Sequence, residues 1–285
     1  MGLPSGARRR RPRRSGGGRR AGHRRGRDRR VTVAVEPDVM RVGVLLAGGV
    51  GARVGAGLPK QLAEVAGRPL IEHTIEAFER SGLFDELLVV MHPDHVDAVR
   101  ALVGDDGSGV RRYPLVRAVI PGGAERRDSS RLAVEHLAGR LPDDTRVFLH
   151  DAARPFVSAK VLRRVDAGLE RADAVVTAVP SADTVIEVRD EEVGGRRSEV
   201  LAVTPPRSHM RLVQTPQAFR LGVILDAHRR VRNDPEFAPT DDGSVVRHAR
   251  PDVAVLVVAG DAANGKVTTA ADLVEARRRL ADPEV

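Results

Sequence analysis

The sequence predicts an α/β protein with a mainly parallel sheet that is covered by helices on both faces. Two observations support this fold. Short apolar runs alternate with segments of helical spacing along the 285 residues, and polar or glycine-containing segments follow several of these runs. Such alternation is typical of βαβ crossovers, which place helices against a parallel sheet. Ligands of these sheets bind at the carboxyl ends of the strands, so the segments after the runs are candidates for a site.

Six apolar runs are predicted to be strands, and segments between them are predicted to be helices. The strands are 42–46, 86–91, 115–120, 146–150, 174–179 and 253–258. The helices begin at Pro69 and Pro93 or span 129–137, 158–169 and 270–280. Proline is favoured in the first helical turn, because its missing N–H would have no partner there. Together these elements predict one Rossmann-like domain over residues 41–281.

The interval 181–206 departs from this alternation. Two strand-like runs, 184–188 and 199–203, flank a polar stretch that contains Gly194 and Gly195. This pattern predicts a β-hairpin arm that leaves the main sheet. A hairpin has little core of its own, so its alternating apolar residues need a partner. Two arms exchanged about a two-fold axis would cover each other, and we therefore expect a homodimer through 181–206.

The composition excludes several classes of protein. The chain has no cysteine, which rules out disulfides, zinc–thiolate sites and a cysteine nucleophile. Its longest apolar runs, such as 253–259, are too short to span a bilayer. The apolar run 31–35 is too brief to be the core of a signal peptide. We expect a cytoplasmic protein with no membrane partner.

The basic character of the chain lies in its first residues. Residues 1–30 contain thirteen arginines and one aspartate, a net charge of +12, so residues 31–285 carry −4 of the formal total of +8. A segment this rich in Arg, Gly and Pro is predicted to be a disordered tail. It could bind nucleic acid through phosphates, which leaves a nucleic-acid-binding protein as an alternative of another class. The tail lacks aromatic residues that stack on bases, which favours a dispensable extension.

The segment after the first predicted strand has the composition of a phosphate-binding turn. Glycine residues allow backbone N–H groups to approach a phosphate closely, and Arg53 and Lys60 add two cations. This combination suits a nucleoside triphosphate. Two glycines in a strand-to-helix turn are also common for packing alone. The turn reads Ala47-Gly48-Gly49-Val50-Gly51-Ala52-Arg53.

Two further strand ends carry candidate binding residues. Gly122 and Gly123 follow the third strand, and Ser129 opens the next helix, whose N-terminus favours negative charge or polar base edges. The same residues suit an ordinary helix start. Asp151 and Arg154 follow the fourth strand. A carboxylate there is costly to bury without a role, which favours a metal–phosphate or ribose contact, and a bracing ion pair with Arg154 is compatible with either.

Polar clusters later in the chain complete the set of candidates. Thr, Arg and Gln side chains in 204–207, 214–217 and 240–244 are plausible anchors for a polyol phosphate. Each cluster alone is more often a turn or a helix cap. Lys266, in the segment 264–268 after the last predicted strand, would neutralise phosphate charge.

In their order along the chain, these segments resemble the 2-C-methyl-D-erythritol 4-phosphate cytidylyltransferase family, over about residues 41–280. The resemblance implies a nucleotidyltransferase of the glycosyltransferase-A-like fold. Its reaction converts CTP and methylerythritol phosphate to CDP-methylerythritol and pyrophosphate, with Mg²⁺ as cofactor, in non-mevalonate isoprenoid biosynthesis. The motifs that carry the resemblance are Leu46-Ala47-Gly48-Gly49 through Lys60-Gln61, Gly122-Gly123-Ala124-Glu125-Arg126, His150-Asp151-Ala152-Ala153-Arg154-Pro155, Gln214-Thr215-Pro216-Gln217 and Gly265-Lys266-Val267-Thr268.

The resemblance also implies roles for individual residues. Of the implied substrate residues, Thr184 and Arg207 would reach the methylerythritol phosphate of the other subunit. Asp151 is the candidate metal contact, through an indirect interaction. The implied catalytic residues are Arg53, Lys60 and Lys266. The implied nucleotide site comprises Ala47, Gly48, Gly49, Gly51, Gly123, Ala124, Ser129, Asp151 and Ala152. The implied substrate site comprises Arg154, Thr184, Arg207, Thr215 and Thr240.

Other enzymes on related folds fit the residues less well. The nearest alternative is a cytidylyltransferase for another polyol phosphate, such as ribitol 5-phosphate. A sugar-nucleotide or molybdopterin guanylyltransferase shares the glycine turn but not the segments at 150–155 and Lys266. A dinucleotide-dependent dehydrogenase would need an acidic residue at the end of the second strand, where Met91, His92 and Pro93 stand.

Overall fold

The structure, a computed structural model, describes residue 2 and residues 39–49, 59–104, 111–234 and 237–281. Residues 38–285 belong to one compact unit. The predicted disorder of residues 1–30 concerns residues that, apart from Gly2, lie outside the described ones, and it stays a prediction. Among the helices of the described ranges, none combines the length and the hydropathy that a membrane span requires.

The described residues form a central sheet, two small hairpins and seven α-helices. The strands are β1 (Arg41–Ala47), β2 (Glu64–Val65), β3 (Arg68–Pro69), β4 (Glu86–Met91), β5 (Val116–Pro121), β6 (Arg146–Asp151), β7 (Ala174–Pro180), β8 (Glu187–Val193), β9 (Arg196–Val203), β10 (Arg211–Arg220) and β11 (Val255–Ala259). The helices are α1 (Leu70–Arg80), α2 (Val96–Leu102), α3 (Arg126–Ala138), α4 (Ala159–Gly168), α5 (Leu221–Val231), α6 (Asp242–Ala249) and α7 (Ala270–Ala281).

The central sheet has seven strands in the spatial order β11-β7-β10-β6-β1-β4-β5. Strand β10 runs antiparallel to its neighbours β6 and β7, and the other neighbouring pairs are parallel. The mainly parallel sheet is therefore confirmed, and each of the six predicted strands lies within two residues of its expected bounds. Strand β10 and helices α5 and α6 are additions that the apolar pattern did not predict.

Helices cover both faces of the sheet, as predicted. Successive residues of a strand point to opposite faces, and β1 follows this rule. Leu45 and Ala47 pack in a core with helices α1, α2 and α4. Val44 and Leu46 pack in a second core with α3, α5 and α6. Because both faces are buried, β1 carries no polar side chain from Val42 to Ala47. Its carboxyl end lies beside that of the central strand β6.

Helix α3 begins three residues earlier than the predicted start at Ser129. Glu125 and Asp128 form a reciprocal capping box, in which each side chain accepts a hydrogen bond from the backbone N–H of the other. The Glu125 N–H lies 3.3 Å from Asp128 Oδ2. The early start places Arg126 in the first turn of α3, beside the carboxyl ends of the strands.

The predicted hairpin in 181–206 is confirmed as a two-stranded sheet, β8–β9, that is separate from the central sheet. Gly194 and Gly195 form its turn with φ angles of 60° and 75°, which residues with a Cβ rarely adopt. The strands are longer than predicted, and every residue of β8 is exposed. The use of this arm for dimerisation stays a prediction.

Candidate active site

Two adjoining cavities lie at the carboxyl ends of β1 and β6. Their volumes are about 140 Å³ and about 260 Å³. Arg126, Asp151 and Lys266 line both cavities and join them into one cleft. The smaller cavity is also lined by Leu46, Gly48, Gly49, Lys60, Gln61, Ala124, Glu125, Ser129 and Ala153. The larger is also lined by Arg154, Val213, Gln214, Thr215, Gln217, Thr240 and Asp241.

The two glycine turns of the smaller cavity pack against one hydroxyl group, that of Ser129. The Gly123 N–H donates to Ser129 Oγ at 3.2 Å, and the hydroxyl donates to the Glu125 carbonyl at 3.2 Å. A Cβ atom at Gly48 would lie 3.0 Å from this oxygen, and one at Gly122 would lie 2.7 Å from it. The absence of a Cβ at these two glycines leaves room for the hydroxyl to approach both turns closely. Ser129 thus lies between the turn after β1 and the turn after β5.

The carboxylate of Asp151 is the centre of the cleft. Its Oδ2 lies 2.8 Å from Lys266 Nζ and 3.7 Å from Arg154 Nε. Its Oδ1 accepts from Arg126 Nε at 3.2 Å. The predicted ion pair of Asp151 with Arg154 is thus present but longer than the contacts with the other two cations. One anion holds three cations from three different parts of the chain.

The protonation states of this cluster follow from its charges. Burial opposes ionisation of Asp151, but Arg126 and then Lys266 outweigh it and hold the pKa of the carboxyl well below its usual range. Burial also opposes the charge of Arg126, and Asp242 and Asp151 reverse that effect and raise its pKa. Arg126 donates to Asp242 Oδ2 at 2.7 Å. Asp151 and Arg126 are therefore both charged at neutral pH.

Asp151 is also positioned through its backbone, by a hydrogen-bonded chain that runs to His150. The Asp151 N–H donates to Thr215 Oγ1 at 3.1 Å, and this oxygen lies 3.1 Å from His150 Nδ1. His150 Nε2 lies 3.0 Å from the Arg154 carbonyl, which can only accept, so the ring proton is on Nε2. Thr215 therefore donates its hydroxyl proton to Nδ1. Burial lowers the pKa of His150 to about 4, so the ring is neutral.

The segment that carries Lys266 is fixed by hydrogen bonds to β10 and to the loop after β6. Asn264 Nδ2 donates to the Thr215 carbonyl at 2.8 Å, and Arg154 Nη1 donates to the Asn264 carbonyl at 2.8 Å. The Val267 N–H donates to the Ala153 carbonyl at 2.8 Å. These bonds hold Lys266 beside Asp151 although the two residues are far apart in sequence.

The C-terminal helix α7 supports both sides of the smaller cavity. Its residues Leu273 and Ala276 pack in a core with Val65 of β2 and with Val267. Strand β2 follows the turn of Lys60, and Val267 follows Lys266. Asp272 accepts from the hydroxyl and from the backbone N–H of Thr268, each at 2.7 Å, and these hydrogen bonds lower the pKa of Asp272 to about 2. One capped helix thus braces the segments of both lysines.

Most of the predicted site residues lie in the cleft. Those that line the smaller cavity are Gly48, Gly49, Lys60, Ala124, Ser129, Asp151 and Lys266. Those that line the larger cavity include Arg154, Thr215 and Thr240. Gly123 lies beside them, bonded to Ser129. The two predicted residues Gly51 and Arg53 lie outside the described residues.

Besides Gly123, four predicted residues of the described ranges line neither cavity. The side chains of Ala47 and Ala152 are fully buried in the core, so a nucleotide contact of either would have to use the backbone. Thr184 and Arg207 lie at the base of the arm and are exposed. Arg207 Nη1 donates to the Ala182 carbonyl at 3.3 Å. Within the described part of the chain, neither side chain reaches the cleft of its own subunit, and their roles stay predictions.

The sequence analysis gave Arg126 and Asp242 no individual role, and it named Gln217 only as a plausible anchor for a polyol phosphate. The half-buried Arg126 and the buried Asp242 form an ion pair next to Asp151. Gln217 donates to Asp241 Oδ2 at 3.1 Å and accepts from the Gly243 N–H at 2.8 Å, which ties β10 to the start of α6. The one sequence signal that could have identified Arg126 as a site residue is its position in the motif Gly122-Gly123-Ala124-Glu125-Arg126. The partners are too distant in sequence for a local pattern to identify.

The metal candidate Asp151 is a single carboxylate. Across the described ranges, no group of three or more His, Cys, Asp or Glu side chains is placed to hold a metal ion. Mg²⁺ commonly binds one or two carboxylates together with substrate phosphates and water. A single carboxylate such as Asp151 therefore fits a metal ion that arrives together with a nucleotide. Both carboxylate oxygens are paired with cations, Arg126 and Lys266, which fits an indirect contact with the metal through water.

The α/β fold and the cation-lined cleft at its strand ends define a nucleotidyltransferase. The family model of IspD, 2-C-methyl-D-erythritol 4-phosphate cytidylyltransferase, matches residues 41–282. A protein of that name from Thermobifida fusca is 39% identical over 236 residues, which cover 83% of this chain and 91% of that protein. The chain belongs to the 2-C-methyl-D-erythritol 4-phosphate cytidylyltransferase family.

A solved structure agrees with this family, and a more distant relative carries the name of a different enzyme. The crystal structure of 4-diphosphocytidyl-2C-methyl-D-erythritol synthase from Anaerococcus prevotii has a TM-score of 0.70 at 26% identity, and the match covers 86% of this chain and 99% of that one. A bifunctional ribulose 5-phosphate reductase/CDP-ribitol pyrophosphorylase from Haemophilus influenzae is 33% identical over 81% of this chain and 46% of that protein. The predicted family is thus confirmed.

The buried neutral His150 generates a prediction on stability. The folded state binds the ring proton at a pKa of about 4, and the unfolded chain binds it at about 6.5. The stability that the neutral His150 ring allows is therefore fully present above pH 6.5. It is lost as the pH falls from 6.5 toward 4, because the unfolded chain then binds a proton that the folded state does not. The unfolding free energy of the wild type relative to His150→Gln should decrease by about 1.4 kcal/mol per pH unit over this interval.

Chemical denaturation of both proteins at several pH values measures this difference, in which the titrations of groups that do not interact with His150 cancel. His136→Gln, at an exposed position of α3, is the matched control for replacing a histidine. A difference between wild type and His150→Gln that stays constant from pH 6.5 to 4 would show that the buried ring does not resist protonation.

Proposed function

We propose that this chain transfers CMP from CTP to 2-C-methyl-D-erythritol 4-phosphate and releases pyrophosphate. Family membership supports this reaction. The structural observation that supports it best is the junction of the two cavities at Arg126, Asp151 and Lys266. The smaller cavity, with its glycine turns and Lys60, suits the nucleotide, and the larger one suits the polyol phosphate. The reacting phosphates would then meet at the junction.

The chemistry is the attack of a substrate phosphate oxygen on the α-phosphorus of CTP. The nucleophile is already an anion, so no strong general base is required. The difficulty is to bring two polyanions together, and catalysis rests on positioning and charge neutralisation. Lys60 and Lys266 would hold the triphosphate, together with Arg53. Arg154 would orient the attacking phosphate through a charge-assisted contact.

Mg²⁺ is part of the proposal as a companion of CTP. Asp151 would hold it, through water. When bound, the ion supplies charge neutralisation at the α-phosphate and the leaving pyrophosphate. The residues of the chain do the remaining work: Lys266 and Arg126 fix Asp151, and the turn of Gly48 and Gly49 presents backbone N–H groups to the phosphates.

A homodimer through the arm is the second part of the proposal. The arm exposes large apolar side chains, among them Ile186, Val193 and Leu201, whose exposed fractions are 48%, 53% and 59%. Their alternation leaves apolar surface that a second copy of the arm would cover. In such a dimer Thr184 and Arg207 would reach the partner's larger cavity and bind the polyol phosphate there.

The cytoplasmic location stays a prediction, and the proposed function includes no nucleic-acid partner.

The reaction is tested by measuring pyrophosphate release from CTP with methylerythritol phosphate or with ribitol 5-phosphate as acceptor. We expect turnover with the first acceptor and at most a minor rate with the second. Lys60→Ala should lower kcat about 10²-fold, the scale of one lost electrostatic donor, without unfolding the protein. A preference for ribitol 5-phosphate would replace the proposed substrate. A near-normal rate of pyrophosphate release by Lys60→Ala would show that Lys60 is not a catalytic residue.

The shared site is tested by mixing two inactive variants. Arg207→Ala lacks the group that would reach the partner, and Lys60→Ala lacks a group of its own cleft. One cleft of each heterodimer would then receive intact groups from both chains, so the mixture should regain up to about half of the wild-type activity per heterodimer. Subunit exchange is verified with differently tagged chains. A mixture that exchanges subunits but stays as inactive as its parents contradicts the shared site.

A further inference from the structure

Asp242 is a buried charge that the proposed mechanism does not use. It belongs to the polar segment 240–244, and its side chain is completely buried in the first turn of α6. Its Oδ2 accepts from Arg126 Nη1 at 2.7 Å. The neighbouring Asp241 already caps α6, since its side chain accepts from the Ser244 N–H at 2.7 Å. The helix therefore does not need Asp242 as its cap.

The charge of Asp242 is directed at Arg126. Among the side chains that the structure describes, the other titratable neighbour is His228 of α5, whose Nε2 lies 4.0 Å from Asp242 Oδ1. Burial lowers the pKa of His228, so this ring is neutral at pH 7 and leaves Arg126 as the countercharge. A buried ion pair adds little net stability compared with apolar residues of similar size. Stability alone is therefore a weak reason for this pair.

The guanidinium of Arg126 connects Asp242 to the reaction centre. Its Nη1 donates to Asp242, and its Nε donates to Asp151 Oδ1 at 3.2 Å. The second oxygen of Asp151 meets Lys266 Nζ at 2.8 Å. The planar fork of arginine donates in two fixed directions at once, which the ammonium of lysine cannot do. The four side chains thus form one line of alternating charge that ends at a proposed catalytic lysine.

We propose that Asp242 is a positioning residue, which acts through Arg126 and Asp151 to set the place of Lys266. Because Asp242 neutralises part of the positive charge of Arg126, Arg126 attracts Asp151 less strongly. Asp151 can then keep its close contact with Lys266. Without that charge, Arg126 would draw Asp151 toward itself and away from Lys266. The cleft would also gain one positive charge, so CTP binding should not weaken. The loss should fall on the chemical step.

The inference rests on the proposed function, and the first test separates the chemical step from binding. Asp242→Asn keeps the shape of the side chain and removes its charge. We expect kcat to fall about tenfold, with the KM for CTP unchanged or lower. The matched control is Asp166→Asn. Asp166 of α4 is also a buried aspartate paired with an arginine, Arg146 Nη1 at 2.7 Å. Arg146 is the first residue of β6, at the opposite end of the strand from Asp151, so the replacement of Asp166 should leave kcat unchanged.

A double-mutant cycle tests the route of the effect. If Asp242 acts through Lys266, Asp242→Asn should change kcat less than about twofold in a Lys266→Ala background. A role in general stability would repeat the tenfold loss in that background. Wild-type kcat in Asp242→Asn, or additive losses in the double variant, would overturn the inference. Absence of wild-type turnover with CTP and methylerythritol phosphate would instead overturn the proposed function.

Circular dichroism would show whether Asp242→Asn folds. If it does not fold, a second variant tests the same inference. Arg126→Lys preserves the charge balance of the buried cluster but cannot donate from two separated nitrogens. We expect a similar fall in kcat, again without a rise in the KM for CTP. Wild-type kcat in this variant would show that the fork of Arg126 is not needed, and the inference would be wrong.

Discussion

The carboxylate of Asp151 is the interaction on which the site depends. It stands at the end of β6, the central strand of the sheet, and contacts Arg126, Arg154 and Lys266. These cations come from the start of α3, from the loop after β6 and from the segment before α7. Without an anion between them, three buried or half-buried cations would repel one another. Asp151 lets them gather where two polyanionic substrates must meet.

The order of strands explains how Asp151 is held. The antiparallel strand β10 lies directly beside β6, and it brings Thr215 to the backbone of Asp151 and to His150. The same strand contacts the segment of Lys266 through Asn264 and the start of α6 through Gln217. An α/β sheet of parallel strands alone would place only loops at this edge. Here one reversed strand adds a rigid wall to the larger cavity, and rigid elements position side chains more closely than loops do.

Local patterns predicted the apolar framework and the glycine turns, because strands buried on both faces are continuous apolar runs. They did not predict β10, since Gln214, Thr215 and Pro216 are typical of a turn. Gln214 and Gln217 are nevertheless buried, and their hydrogen bonds go to Asp261 and to Gly243. Likewise, Arg126 and Asp242 are 116 residues apart. Both the strand β10 and the pair of Arg126 with Asp242 depend on contacts between residues that are far apart in the sequence. A local pattern of apolar residues carries no information on such contacts.

The most direct measurement is the single-turnover rate of pyrophosphate release by Asp151→Asn at saturating CTP and methylerythritol phosphate. If Asp151 organises the three cations, the rate should fall about 10²-fold, because small displacements of catalytic groups are costly. CTP should still bind, since the cleft becomes more positive. A rate within about twofold of the wild type would mean that the cations hold their places without this carboxylate, and the central role of Asp151 would be contradicted.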